Sequence, residues 1–122
     1  MQFAEPLPDQ CPPPDAADSG FPPLYRLVTT QNPTEEDFCS SAARGIPAPE
    51  GVDGCRWASC SLVLDAKKQK KLPKFKDTHH YAAKLNLPAG AGKARKTGRN
   101  HFDFWRANTC NILAAIEQVV EI

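Results

Sequence analysis

The sequence predicts an α+β domain: a small antiparallel or mixed sheet of about three to five strands with two or three helices, preceded by a Pro-rich arm. Three observations lead there. Residues 80–87 alternate in polarity, with Tyr81, Ala83, Leu85 and Leu87 on one side and Ala82, Lys84 and Asn86 on the other. That is the period of a half-buried strand. Two further runs, 24–29 and 57–64, are rich in strand formers. Between them lie acid-led and Asp-led segments that carry helix-start signals.

Taken in order, residues 1–23 hold seven of the twelve prolines, four acids and no base. Proline lacks the amide donor and fixes φ, so this arm is expected to be extended or disordered. An inert tail is the preferred reading, and docking on a basic surface of its own domain or of a partner the alternative. An ordered domain is expected over 24–122. Leu24 to Thr29 reads as a strand, closed by the turn residues Gln31, Asn32 and Pro33. Thr34 is a candidate helix N-cap, with Glu35, Glu36 and Asp37 at the positive end of the dipole. Phe38, Cys39 and Ala42 supply an apolar stripe, and Gly45 a stop. Residues 45–54 read as a loop.

Trp57 to Leu64 is expected as a buried strand. Asp65 caps a surface helix that runs to Leu72 and is stopped by Pro73. Residues 88–100, with three glycines and four basic residues, read as a long mobile loop. His101 to Trp105 suits a short strand or a helix entry. Asn108 is a candidate cap for a last helix carrying Ile112, Leu113, Ile116, Val119 and Val120. Residues 118–122 are equally readable as helix or strand.

Charge divides the chain. Residues 1–60 carry nine acids and three arginines, giving −6, whereas residues 61–122 carry twelve basic residues and five acids, giving +7. Two basic clusters follow: Lys67, Lys68, Lys70, Lys71, Lys74 and Lys76 around the expected helix, and Lys93, Arg95, Lys96 and Arg99 in the glycine-rich stretch. Such clusters suit an anionic partner, a protein or a nucleic acid, because they supply charge-assisted contacts to phosphate or carboxylate. The alternative is that the acidic half neutralises the basic half within the fold. The Lys96-Thr97 pair is preceded by Arg95 rather than glycine, so it does not form a P-loop.

Five cysteines, an odd number without a secretory leader, predict reduced thiols and a cytoplasmic protein. No apolar run is long enough for a membrane span. The spacing of Cys55, Cys60, His79 and His80 is too loose for a zinc site, so no metal and no cofactor are expected. His101, with Asn100, Asp103 and Trp105 around it, is the best-placed histidine for general-base work.

The arrangement of Tyr25 and Arg26 on a first strand, Ser59 or Ser61 on a later one, and Glu121 near the end resembles the three-block layout of the ADP-ribosyltransferase-type NAD-binding folds. That resemblance implies Arg26 and Ser61 against NAD and Glu121 on the nicotinamide ribose, although no Gln or Glu stands two residues before Glu121. Residues 55–64 and 101–105 also resemble segments of small bacterial proteins, a likeness that implies no activity. The preferred expectation is a non-enzymatic binding protein using basic residues 67–99. The small enzyme and the subunit of an obligate complex are the alternatives.

Overall fold

The computed structural model describes residues 1–122 as one open, six-stranded antiparallel sheet with short helices. The strands are β1 (Leu24–Val28), β2 (Cys60–Val63), β3 (Tyr81–Leu85), β4 (Gly92–Lys96), β5 (His101–Arg106) and β6 (Ile116–Glu121). Their order across the sheet is β4-β5-β2-β1-β3-β6. The fold class is as expected, with more strands than expected. The helices are α1 (Gly54–Trp57), α2 (Ala66–Lys70) and α3 (Pro73–Lys76), with 3-10 turns at Glu35–Phe38 and Leu113–Ala115.

Alternation of side chains gives the sheet two covered faces. On the first, Leu24, Cys60, Leu62, Ala83, Leu85, Ala94 and Phe104 form a core with Phe38 and Ile112. Phe21 of the arm meets Phe104 edge-on at 6.3 Å. On the second face, Leu27, Val63 and Ala82 pack under Ala66, with Phe75 alongside. Because both faces are covered, Ala82 and Ala83 are each fully buried. The polarity pattern of 80–87 expresses one face only, since alanine fits the narrow space beneath α2 and α3.

Several local expectations are corrected. The sequence around 88–100 is not a free loop, because β4 pairs with β5 from Gly92–Arg106 to Lys96–Phe102. At Gly92 a Cβ atom would run into the Trp105 carbonyl oxygen. Glycine is required there by close backbone approach, and it disguised the strand as a flexible segment. Nor does the C-terminal apolar run continue as a helix: after Leu113–Ala115 it becomes β6, whose partner β3 decides between two periods the sequence left open.

Trp57 belongs to α1 rather than to a strand, because Asp53 accepts the Cys55 amide at 2.9 Å and turns the chain there. The helix expected over 34–45 is only a 3-10 turn. Its cap is real: the Thr34 amide donates to Asp37 Oδ2 at 2.7 Å. The helix expected over 65–72 is present as α2, capped by Asp65 through the Lys68 amide, but Pro73 does more than stop it, since it also opens a separate helix, α3.

Residues 1–23 contain no helix or strand, yet they lie against the body. Ala17 and Ala94 exchange backbone hydrogen bonds of 2.8 and 2.9 Å along the outer edge of β4, and Phe3 bridges Ala107. Glu5 accepts from the Ser40 amide and hydroxyl. The expectation that all thiols are reduced is also corrected, since Cys11 and Cys55 form a disulfide between the arm and α1. Cys39, Cys60 and Cys110 are free. No helix is long and apolar enough to cross a membrane.

Candidate functional site

The two basic clusters occupy different structural settings. Of their ten residues, only Arg95 is ion-paired, with Asp15 of the arm at 3.6 Å. The remaining acids of the first half do not reach these cations, and Glu35 is paired instead with Arg106 at 3.7 Å. Lys93, Arg95 and Lys96 project from β4, and Arg99 lies in the turn between β4 and β5. The other six lysines fall on or beside α2 and α3.

Those two short helices form a wall between two concavities. On one flank, Lys67, Lys70, Lys71 and Lys76 line a hollow of about 500 Å³ together with Ile122. Lys70 is held in place: its Nζ donates to the His79 carbonyl at 2.9 Å and lies 3.0 Å from His80 Nδ1. Lys67 and Lys71 are exposed. Lys68 is exposed but does not line the hollow.

On the other flank lies a polar cleft of about 450 Å³, lined by Gln69, Leu72, Lys74 and Phe75 of the helical side, and by Arg26, Arg44 and His79 among others. Strands β1 and β2 have a single opposed pair, Tyr25 and Val63. Beyond it the Arg26 guanidinium reaches across, Nη1 donating to the Ser61 carbonyl at 3.0 Å and Nε to the Asp37 carbonyl at 2.8 Å. Arg44 donates from Nη2 to the Glu36 carbonyl at 2.6 Å. Lys74 places its Nζ 5.5 Å from the centre of the Phe75 ring.

Burial lowers the pKa of His79 below the ordinary histidine value, and the charges of Arg26, Lys74 and Lys70 lower it further against the opposing pull of Asp37. Burial raises the Cys39 thiol on the same wall, a shift to which Glu5 adds and which Arg44 opposes.

Arg26 and Ser61 thus share the cleft, joined through the Ser61 backbone. Glu121 does not join them. Arg26 stands opposite Ala83, which stands opposite Val119, so Glu121 is two strands across and two residues further along β6. At ordinary strand dimensions that offset is about 12 Å. His101 is elsewhere too, its Nδ1 2.6 Å from Thr97 Oγ1 and 3.7 Å from Asp103 Oδ1. Burial lowers its pKa, with Asp103 opposing. Asp103 itself is 2 % exposed and takes Arg56 Nε at 3.1 Å, the usual requirement for a buried carboxylate.

Sequence reasoning missed Arg44 and Gln69. Neither carries a motif, and they reach the cleft only because the turn after Phe38 and the last turn of α2 lie beside β1. No three His, Cys, Asp or Glu side chains gather as a metal-holding group. Comparison with protein-family models, curated proteins and solved structures finds no match.

Proposed function

We propose that the protein is a non-enzymatic binding protein that engages an anionic macromolecule through the lysine flank of α2 and α3. One observation carries this reading: Lys67, Lys70, Lys71 and Lys76 converge on a single hollow and none has an acidic partner in the fold. Unpaired cations grouped on one concave surface raise the local concentration of an oppositely charged ligand.

An acidic protein surface suits this flank better than single-stranded nucleic acid. The lining of the lysine hollow, four lysines and Ile122, includes no aromatic side chain. Stacking of unpaired bases needs aromatic faces beside the basic groups.

The test is titration of the folded chain with labelled acidic protein, duplex DNA and RNA at two salt concentrations. Binding that weakens steeply with salt is expected, strongest for the acidic protein and lost in the triple variant Lys67→Glu, Lys71→Glu, Lys76→Glu. Salt-insensitive binding, or none, removes this function.

A further inference from the structure

The cleft on the opposite flank carries an inference of its own. Its cations come from three separate elements: Arg26 from β1, Arg44 from the turn following Phe38, and Lys74 from α3. No Asp or Glu is among its lining residues, and none of the three cations takes part in an ion pair. Three like charges held around one space repel each other, and a ligand of opposite sign relieves that repulsion.

The guanidiniums are held in place by the carbonyls of Asp37, Ser61 and Glu36. Each guanidinium has five N–H donors. Two of those on Arg26 and one on Arg44 are engaged, so both forks retain donors for a ligand. Rigid forks of this kind match the tetrahedral oxygens of phosphate, and their fixed position lowers the entropy lost on binding.

The rim is apolar. Leu72 and Ile46 are 48 % and 49 % exposed there, which offers contact to an organic body attached to the anion. A volume of about 450 Å³ lies within the range of small-molecule sites.

We infer that this cleft binds a phosphate monoester of a small organic molecule, its phosphate held by Arg26, Arg44 and Lys74 and its apolar part resting against Leu72 and Ile46. The site is distinct from the lysine hollow and does not depend on the macromolecular partner proposed above.

Calorimetric titration of the full chain with phenyl phosphate, beside inorganic phosphate and benzoate, tests it. One-site saturable binding of phenyl phosphate is expected, with inorganic phosphate competing for the same site. Arg44→Gln and Lys74→Gln should each weaken it by about tenfold, the scale of one charge-assisted contact. Both side chains are exposed, and circular dichroism establishes that each variant is folded.

The pair Lys67→Glu, Lys71→Glu should leave phenyl phosphate affinity unchanged while abolishing macromolecular binding, which separates failure of one site from failure of the other. The inference is overturned by absence of saturable binding, by full affinity in both cleft variants, or by benzoate binding as tightly as phenyl phosphate.

Discussion

The β4 strand and the α2–α3 helices are comparably basic in sequence, and the fold covers the backbone edge of the first while leaving the second uncovered, although Lys93, Lys96 and Arg99 also lack acidic partners. Along β4 the chain lays its own acidic arm: Ala17 occupies the strand edge, Asp15 pairs with Arg95, and the Asp18 carbonyl accepts from Gly90. Along α2 and α3 nothing is laid, and the lysines stand without acidic partners. The difference teaches that a cluster of basic residues signals an external ligand only where backbone edges and nearby acids leave it free. An exposed edge strand invites pairing with other chains, so covering β4 with the arm has a protective value apart from charge.

That comparison can be broken at its covalent anchor. Replacing both Cys11 and Cys55 with alanine removes a link spanning 44 positions, and a loss of about 2–4 kcal/mol is expected in denaturant unfolding. Hydrogen exchange at the Ala94 amide, which donates to the Ala17 carbonyl at 2.8 Å, should rise in the same variant. An unchanged exchange rate would show that the arm holds the β4 edge without its staple.

A second break acts on β4 itself. In Gly92→Ala the new methyl group meets the Trp105 carbonyl and the Phe104 ring, and the overpacking should cost about 1–3 kcal/mol. Stability equal to the parent's would mean that β4 lies further from β5 than described.

The smallest effect sharpens the comparison. Asp15→Asn removes the one ion pair formed by a predicted anion-binding residue. Asp15 is largely exposed, so less than about 1 kcal/mol is expected from thermal unfolding. If the arm screens Arg95 from ligands, this variant should also gain affinity for the acidic protein. The same affinity as the parent would assign binding to α2 and α3 alone.

Legibility followed the range of the interactions concerned. The caps at Thr34 and Asp65, the strand at Leu24, and the break at Pro73 depend on neighbours within four residues, and each was readable. β4 and β6 depend on partners in register. Lys93 and Arg95 alternate with Gly92 and Ala94, but a glycine-rich basic segment gives no strand signal until β5 lies beside it. The candidate sites divide in the same way. The six lysines between 67 and 76 were visible as a run, whereas the cleft joins Arg26, Arg44 and Lys74 across 48 positions of sequence.

By itself, then, the sequence determined the α+β class, the starts at Thr34 and Asp65, and the division of charge between the two halves. These are local or compositional properties, written in side-chain chemistry and short spacing. Only the tertiary structure decided that the arm is bridged to α1, that the glycine-rich segment is a strand, and which lysines lie together. Those outcomes turn on long-range packing and pairing, where a residue's role is set by what the chain brings against it from far along its length.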